Sequence, residues 1–455
     1  MSTLAEVILW GTRIGVVELP DGERIASFQY DPDFLRSGIE VSPLVMPLGP
    51  SPYSFPALAL QSFHGLPGLL ADSLPDKYGN ALIDAWLATE GRLPEDFNAV
   101  ERLSYTGTRG MGALEFRPVT GPSAPAGAPV DIEALVKLAS EVLTHRQTLN
   151  VTFAGDDKAA ALREILRVGT SAGGARAKAV IAWNPDTNEV RSGQLRAPPG
   201  FDYWLIKFDG VQGNKDKDLA DPLGYGAVEY AYSQMAAAAG IDMSPCRLFE
   251  EGGRRHFMTK RFDRTETGDK LHMQSLAALA HYDFNAAGAY GYEQAFLAMR
   301  QLRLPAHDVD QQFLRMTFNI LARNQDDHVK NIAYLMDRSG VWRLSPAYDI
   351  TWAFNPTGDW TSRHQMSVNG KRDGFVVEDL IDCAKAGGVQ SRRIRPLLQQ
   401  VHDTVARWPE FARAADVKAE WIDQIGRSHR LDLAPPASSH RPAGSASATQ
   451  TRGGD

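Results

Sequence analysis

The sequence predicts an α+β protein in which strands and helices dominate different parts of the chain. Short strand patterns separated by Gly- and Asp-bearing turns occupy residues 4–48, and apolar strands recur at 177–183 and 202–208. From about residue 270 onward helical spacing prevails, interrupted by a hairpin at 332–344. We therefore expect a β-rich N-terminal subdomain, a strand-containing small lobe and a mostly helical C-terminal lobe.

The composition sets broad limits on the class of protein. At 455 residues with 43% hydrophobic residues, the chain can form two or three domains with large cores. Its formal net charge of −7 does not favour strong nucleic-acid binding by this chain alone. The two cysteines fit a reducing compartment, and the sequence shows neither a signal peptide nor an apolar run long enough to span a membrane. We expect a cytoplasmic protein.

The expected domain boundaries follow shifts in composition. We place the N-terminal subdomain at 1–118, the small lobe at 131–263 and the helical lobe at 264–433. Residues 119–130 are rich in Gly, Pro, Ala and Ser and read as a linker. Residues 434–455 have almost no apolar bulk and are expected to be disordered.

Within these boundaries the apolar patterns predict individual elements. The expected strands are 7–10, 13–18, 25–30 and 113–118 in the first subdomain, and 177–183, 202–208 and 257–264 in the small lobe. The expected helical segments are 66–88, 132–149, 158–168 and 227–239, the last ended by Gly240.

Residues 324–331, Asn-Gln-Asp-Asp-His-Val-Lys-Asn, carry the most informative spacing in the chain. Asp326 and Asn331 are separated by four residues, as in a kinase catalytic loop, where the Asp accepts the proton of the attacking hydroxyl and the Asn holds a magnesium ion. The hairpin that follows returns the chain, so Asp349 is expected to end close to Asn331. Their amide and carboxylate oxygens are suitable Mg²⁺ ligands. The alternative is a polar helix end followed by a surface hairpin.

Three residues inside this loop have less certain roles. The spacing to Asn331 selects Asp326 as the base, which makes Asp327 an exposed or structuring neighbour. We place His328 and Lys330 at the nucleotide site. His328 is alternatively a structural residue that orients the loop, and Lys330 is alternatively a solvated one.

A Gly-rich segment at 171–178 is a candidate phosphate loop. Gly173 and Gly174 allow backbone N–H groups to approach an anion, and Arg176 and Lys178 add positive charge. Ser171 opens the segment. Gly-rich loops are common, and this one lacks the Gly-Lys-Ser/Thr ending of a Walker A motif, so the segment alone is a weak signal.

Lys207 stands at the end of an apolar strand, where its ammonium must meet an anion or reach solvent. In kinases such a lysine meets ATP phosphates and a helix glutamate. Glu229, 22 residues further on and early in a helix, is the candidate partner. Alternatively, Lys207 is a solvated edge-strand residue and Glu229 complements its helix dipole.

The strand at 257–264 ends in charged residues and is the candidate hinge between two lobes. There the main chain would pass an adenine, and Asp263 could reach a ribose hydroxyl. Taken in order, a Gly-rich loop, strand Lys, helix Glu, hinge, Asp-x4-Asn, hairpin and Asp reproduce the linear order of a protein-kinase-like two-lobed fold.

The chain resembles the HipA toxins of bacterial toxin–antitoxin modules, which are Ser/Thr kinases. The matching segments are 65–76, 107–114, 171–178, 258–264, 326–331 and 344–349, and the pair Asp-x-His-x-Lys-Asn and Pro-x-Tyr-Asp is the most specific. The chain departs from the family pattern at Ala177, where a proline is common.

The resemblance implies a role for each matching residue. Asp326 would be the catalytic base, and Asn331 and Asp349 the Mg²⁺ ligands. Lys207 would bind the ATP phosphates. The residues implied to line the adenine and ribose are Lys260, Arg261, Phe262 and Asp263. Ser171 matches a serine that these kinases autophosphorylate, with Thr170 as the alternative acceptor in this chain.

The resemblance also implies partners. The family's usual partner is HipB, a small helix-turn-helix antitoxin through which the toxin meets DNA indirectly, and its best-known target is glutamyl-tRNA synthetase. Two other functions stay open: a small-molecule or lipid kinase with the same fold, and a catalytically inactive scaffold that only binds the antitoxin–DNA complex.

Overall fold

The computed structural model describes residues 2–120, 130–144, 166, 176–194, 196–211, 215–216, 219–220 and 222–433. Ser171, Gly173 and Gly174 of the Gly-rich segment therefore lie outside the described residues, as do the tail at 434–455 and all of the predicted helix at 158–168 except residue 166.

The N-terminal subdomain is built on an antiparallel sheet. Within the described residues its strands lie in the order β3–β2–β1–β4. Their bounds are Thr3–Leu9 (β1), Thr12–Leu19 (β2), Ser27–Tyr30 (β3) and Leu114–Arg117 (β4). Residues alternate along β2, with Val17 and Leu19 buried and Glu18 exposed, because one face of the sheet packs on a core. The helices of the subdomain are Pro32–Leu35 (α1), Leu60–Phe63 (α2), Gly68–Ala71 (α3), Lys77–Thr89 (α4) and Ala99–Thr106 (α5).

The small lobe contains an antiparallel sheet with the order β10–β11–β7–β5–β6 among its described strands. Its elements are Ile132–Thr144 (α6), Lys178–Trp183 (β5), Val190–Ser192 (β6), Asp202–Lys207 (β7), Lys215–Asp216 (β8), Leu219–Ala220 (β9), Tyr225–Ala238 (α7), Cys246–Glu251 (β10) and Arg254–Lys260 (β11). Strand β5 is buried throughout, which explains why each of its residues after Lys178 is apolar.

The remainder of the chain is mostly helical, as predicted. It contains His272–Ser275 (β12), Leu276–Ala280 (α8), Tyr292–Gln301 (α9), Ala306–Leu321 (α10), Ala333–Met336 (β13), Trp342–Leu344 (β14), Val377–Gly387 (α11), Ser391–Ala406 (α12), Trp408–Ala414 (α13) and Ala419–Ser428 (α14). The predicted hairpin forms from β13 and β14, and β12 adds to it on the other side of β13. None of the helices among the described residues is long and apolar enough to cross a membrane.

Most predicted elements begin or end a few residues from the observed bounds, and three others show a difference with a distinct cause. The helical pattern at 66–88 forms two helices, α3 and α4, because Asp76 caps the second one after Pro75. The strand expected at 257–264 ends at Lys260, and the residues after it form the turn that leaves the small lobe. Helix α6 is described only to Thr144, so the rest of the predicted helix at 132–149 lies outside the described residues.

The N-terminal subdomain is fastened to the rest of the molecule by polar contacts as well as by a shared apolar core. Asp72 accepts hydrogen bonds from the backbone nitrogen and the hydroxyl of Ser275, at 2.7 and 2.8 Å. Lys270 forms an ion pair with Glu115 at 2.8 Å. These contacts hold the subdomain beside the helical lobe, where it forms one wall of the large cavity described next.

Candidate active site

A cavity of about 1300 Å³ lies where the three parts of the chain meet. The small lobe, the catalytic loop and the N-terminal subdomain all contribute to its lining. The sequence-predicted site residues that line it are Lys207, Glu229, Lys260, Arg261, Phe262, Asp326, His328, Lys330, Asn331 and Asp349. Residues far apart in the sequence thus converge on one cavity of a size suited to a small-molecule ligand.

Lys207 stands at the centre of a charged cluster on the small-lobe side of the cavity. Its ammonium nitrogen lies 2.5 Å from Oε1 of Glu229 and 2.5 Å from Oδ1 of Asp349. We call Lys207, Glu229 and Asp349 the cavity cluster. The predicted pairing of Lys207 with Glu229 is present, and the alternative of a solvated lysine is not the arrangement observed.

Close packing of α7 on the sheet brings Glu229 to Lys207. A Cβ atom at Gly226 would lie only 2.5 Å from the backbone oxygen of Arg255, so glycine is needed for α7 to approach β11 this closely. Strand β11 pairs in turn with β7, with Phe257 opposite Lys207. The close packing of α7 on β11 therefore determines the positions of Glu229 and Lys207 relative to each other.

The charges of the cavity cluster favour ionised side chains. Burial opposes the charge on Lys207, but Asp349 and Glu229 outweigh it and raise the pKa of Lys207 above its ordinary value. Burial likewise opposes ionisation of Asp349, and the nearby Lys207 outweighs it, which holds the pKa of Asp349 far below its usual range. A second cation, Arg176, lies 3.6 Å from Glu229 and 4.5 Å above the Tyr225 ring.

Asp326 occupies the opposite side of the site, in the loop after α10. The indole nitrogen of Trp360 donates a hydrogen bond to Oδ1 of Asp326 at 2.5 Å. His328 lies 3.9 Å from the same oxygen. The side-chain nitrogen of Asn331 donates to the backbone oxygen of Asp326 at 2.9 Å. That bond closes the Asp-x4-Asn loop on itself.

The donor set at Asn331 and Asp349 fits a magnesium ion. The bond from Asn331 to the Asp326 backbone uses the amide nitrogen, which leaves the amide oxygen as the atom suited to a metal. Asp349 offers an ionised carboxylate and has a φ of 55°, a left-handed conformation that is rare outside glycine and common at functional sites. Both residues line the same cavity, and both provide the hard oxygen ligands that Mg²⁺ prefers.

Asp327 is a buried structuring residue, not an exposed one. Only 3% of it is exposed. Its carboxylate accepts hydrogen bonds from the Tyr292 hydroxyl and the Gln365 backbone nitrogen, both at 2.8 Å, and lies 2.8 Å from Nδ1 of His364. These contacts hold the loop against the helical lobe. Asp326 therefore lines the cavity, whereas the adjacent Asp327 is buried.

The hinge side of the cavity is lined by Lys260, Arg261 and Phe262. The ring of Phe262 lies 5.6 Å from that of Tyr348, whose hydroxyl donates to the backbone oxygen of Lys330 at 2.6 Å. The Lys330 ammonium lies 4.9 Å above the Phe284 ring. Aromatic and cationic groups are thus adjacent on this wall.

The structure corrects the role predicted for Asp263. Its side chain is fully buried, and its carboxylate contacts Arg261 at 2.6 Å, Arg264 at 2.8 Å and the backbone nitrogen of Gly112 at 2.7 Å. We call Arg261, Asp263 and Arg264 the hinge cluster. Because these contacts enclose the carboxylate, and Asp263 is not among the described residues that line the cavity, it is not placed to reach a ribose hydroxyl.

Lys178, which was predicted to bind a phosphate, is buried in an ion pair. Lys178 is the first residue of β5, only 2% exposed, and its ammonium lies 3.4 Å from the carboxylate of Asp76. Burial raises the pKa of Asp76 to about 6 despite the opposing charge of Lys178. The pair joins the small lobe to the N-terminal subdomain. Lys178 also lies opposite Lys207 in the pairing of β5 with β7, and its charge helps to lower the pKa of Asp349, so its contact with a phosphate stays a prediction.

Sequence reasoning missed two parts of the site. It did not place Trp360 at the site, whereas the indole of this residue contacts Asp326. It also gave no role to α4, although Lys77, Asn80 and Asp84 line the cavity. Their spacing of three and four residues places them on one helix face. The polar character of that face was the available signal in the sequence. Only the packing of α4 shows that the face lies against the cavity.

The fold and site together define a two-lobed, kinase-like protein with an additional N-terminal subdomain, as the sequence predicted. A model of the HipA N-terminal domain matches residues 5–117, and a model of the HipA-like C-terminal domain matches residues 170–408. Since the second match alone covers more than half of the chain, the chain belongs to the HipA family.

Two relatives illustrate the range of the family. Y4mE of Sinorhizobium fredii, a kinase by name, is 28% identical over 217 residues, which are 44% of this chain and 49% of that protein. The match thus spans about half the length of that relative. The HipA chain in the Shewanella oneidensis MR-1 complex of HipA, HipB and operator DNA superposes with a TM-score of 0.63 at 17% identity, covering 95% of this chain and 96% of that one. This likeness extends to the whole fold.

Proposed function

We propose that this protein is an ATP- and Mg²⁺-dependent Ser/Thr protein kinase that acts as the toxin of a toxin–antitoxin module. The observation that carries the proposal is the convergence of Lys207, Glu229, Asp326, Asn331 and Asp349 on one cavity. These are the side-chain types that phosphoryl transfer needs, in the order that kinases use.

In this proposal each group has one task. Asp326 accepts the proton of the attacking hydroxyl, and Lys207 holds the ATP phosphates while Glu229 orients its ammonium. Asn331 and Asp349 hold Mg²⁺, which when bound neutralises charge on the phosphates. Lys260, Arg261 and Phe262 line the adenine. Catalysis then depends on positioning and charge stabilisation, not on a covalent enzyme intermediate.

The central test compares Asp326→Asn with the wild type in transfer of the ATP γ-phosphate to protein. Loss of the proton acceptor should lower the rate by about 10²–10⁴-fold. ATP affinity and thermal stability should change little, because the asparagine keeps the shape of the side chain. Asp382→Asn is the matched control, since Asp382 is exposed and pairs only with Lys385 on α11. A wild-type rate of phosphate transfer in Asp326→Asn would contradict the role of Asp326 as the catalytic base.

The metal assignment is tested separately with Asp349→Ala. This variant should lose Mg²⁺-dependent ATP affinity as well as turnover, because it removes a carboxylate ligand and a partner of Lys207. Titration calorimetry of ATP with and without Mg²⁺ measures the effect. Equal ATP affinity in wild type and variant at every Mg²⁺ concentration would contradict the assignment.

The antitoxin partner is proposed from family membership and from the HipB contained in the Shewanella complex. We expect a short helix-turn-helix protein encoded beside this chain, with DNA contacted indirectly through it. Induced expression of the wild type should stop growth, and co-expression of that neighbour should restore it. Growth arrest that persists in Asp326→Asn would favour the alternative of a catalytically inactive scaffold.

The protein acceptor is proposed to be an aminoacyl-tRNA synthetase such as glutamyl-tRNA synthetase. A panel of purified synthetases, lipids and small hydroxylated metabolites, each incubated with Mg-ATP, separates this proposal from a small-molecule or lipid kinase. Phosphate on a synthetase Ser or Thr supports a protein kinase. Transfer only to lipids or small molecules would overturn that class.

Inhibitory autophosphorylation is proposed at Ser171, which lies outside the described residues. A phosphate there would place about −1.5 to −2 charges beside the ATP phosphates and should oppose nucleotide binding. Mass spectrometry after incubation with Mg-ATP identifies the acceptor, and Ser171→Asp should bind ATP more weakly than Ser171→Ala. Phosphate found only at Thr170 or elsewhere would rule out Ser171.

A further inference from the structure

Trp360 makes a direct contact with the carboxylate that the proposed function uses as the base. Its indole N–H donates to Oδ1 of Asp326 at 2.5 Å, a hydrogen bond to an acidic group that is stronger than one between neutral groups. Among the described residues that line the cavity, Asp326 is present and Trp360 is not. The indole therefore contacts the carboxylate from outside the cavity that a nucleotide would occupy.

Trp360 is itself held in place by the loop that follows it. Its backbone oxygen accepts a hydrogen bond from the side-chain nitrogen of Gln365 at 2.5 Å. The backbone nitrogen of Gln365 donates to Oδ1 of Asp327 at 2.8 Å. His364 contacts the other oxygen of Asp327, also at 2.8 Å. The segment 360–365 is thus bonded to two consecutive residues of the catalytic loop, one through each of its ends.

The hydrogen bonds at Asp327 continue through His364 to Arg430, which follows α14. Nε2 of His364 lies 2.8 Å from the guanidinium of Arg430, which also pairs with Asp373 at 2.5 Å and donates to the backbone oxygen of Ile320 at 2.9 Å. Ile320 belongs to α10, the helix that leads into the catalytic loop. The segment 360–365 therefore has fixed supports on both sides, and its indole has a defined position relative to Asp326.

We propose that Trp360 is a positioning residue for phosphoryl transfer: its indole N–H fixes the rotamer of the Asp326 carboxylate toward the incoming hydroxyl. This rests on the proposed kinase function. Without a hydrogen-bonding partner, the carboxylate of an aspartate can rotate away from the position that it needs for proton transfer. A misplacement of about 1 Å at a reacting group can lower the rate by about 10²-fold. Since Trp360 does not line the cavity, the effect should fall on turnover and not on ATP binding.

The test removes only the N–H group. Trp360→Phe keeps an aromatic ring and loses the donor to Asp326. We expect kcat to fall about 10- to 100-fold, with the KM for ATP within about twofold of wild type, because only the placement of the base changes. Trp352→Phe is the matched control: it makes the same chemical change eight residues earlier, where the indole donates to Ser428 at 3.0 Å. Its kcat should stay within about twofold of wild type.

A spectroscopic arm tests the contact without using turnover. The chain has nine tryptophans, and ¹⁵N-indole labelling gives each an N–H resonance that Trp360→Phe identifies by its disappearance. Asp326→Ala should shift the Trp360 resonance upfield as the hydrogen bond is lost, and should leave that of Trp352 in place. A Trp360 resonance unmoved by Asp326→Ala would overturn the proposal.

The outcomes separate this inference from the proposed function. If the wild type transfers phosphate and Trp360→Phe has wild-type kcat, the positioning role is wrong and the kinase assignment stands. If Trp360→Phe and Trp352→Phe lose activity equally, a general structural effect explains both and the positioning role also fails. If the wild type transfers phosphate to no acceptor, the kinase function fails and the role of Trp360 fails with it.

Discussion

The cavity cluster and the hinge cluster make an informative comparison. Both contain a carboxylate bonded to cations at short distance, 2.5 Å for Lys207 to Asp349 and 2.6 Å for Arg261 to Asp263. Both carboxylates have a pKa well below the ordinary value, although burial opposes ionisation in each case. By the lowered pKa of Asp349 and Asp263 alone, the two clusters are alike.

What separates the clusters is access to the cavity. The side chain of Asp349 is 33% exposed and lines the cavity, whereas that of Asp263 is 0% exposed and contacts the N-terminal subdomain. A ligand in the cavity can therefore reach the carboxylate of Asp349 but not that of Asp263. A perturbed carboxylate is therefore evidence for a site only when it also faces the cavity.

Removing the buried carboxylate of the hinge cluster should have the largest effect on folding. Asp263→Ala leaves Arg261 and Arg264 without their shared partner, which should lower the free energy of unfolding by about 3–5 kcal/mol. Asp202→Ala is the control, because the side chains of Asp202 and Lys260 are 43% and 34% exposed and their ion pair should be worth about 1 kcal/mol or less. Urea denaturation measures both. Equal losses would mean that burial does not distinguish the two ion pairs.

Removing the cation of the cavity cluster should affect activity more than folding. Lys207→Ala should lower kcat/KM by about 10²–10³-fold, the usual effect of losing a charged group that stabilises a transition state. Its thermal midpoint should fall less than that of Asp263→Ala. Initial rates and calorimetric scans on the same preparations decide this. A larger stability loss for Lys207→Ala than for Asp263→Ala would reverse the proposed division of roles.

Lys207 and Glu229 should act as a unit in nucleotide binding. If Glu229 orients the ammonium, then Lys207→Ala and Glu229→Ala should be non-additive in ATP affinity, with a coupling free energy of about 0.5–3 kcal/mol. A double-mutant cycle of ATP dissociation constants measures this coupling. Additive losses would indicate that Glu229 only stabilises its helix by interacting with the helix dipole, which is the alternative that the sequence left open.

The smallest expected effect is a pH dependence of the hinge cluster. The pKa of Asp263 is lowered in the folded protein because the charges of Arg261 and Arg264 outweigh burial. The stability that these pairs contribute is therefore complete above the ordinary pKa of 3.8 and is lost as the pH falls through the lowered value. The difference in unfolding free energy between wild type and Asp263→Asn should be constant from pH 7 to 5 and shrink below pH 4. A difference that grows on acidification would contradict this sign.

Much of the candidate site could be predicted from local sequence. The spacing of Asp326 and Asn331 lies within one loop, and the hairpin that returns the chain toward Asp349 is read from strand and turn residues. The pairing of Lys207 with Glu229 required only the order of a strand and a helix. Asp263 was misplaced because the sequence pattern of a charged residue next to a strand is the same whether its side chain faces a ligand or a neighbouring domain.

The sequence by itself determined the α+β class, the order of the kinase-like parts and the membership of Asp326, Asn331, Lys207 and Asp349 in one set, because these depend on local periodicity and on spacing along the chain. Only the tertiary structure decided which charges face the cavity. The bond from Trp360 to Asp326 joins residues 34 positions apart, and the burial of Asp263 depends on Gly112, 151 positions away. Such contacts arise from packing between distant segments, within the helical lobe for the first and between subdomains for the second, and no short stretch of sequence encodes them.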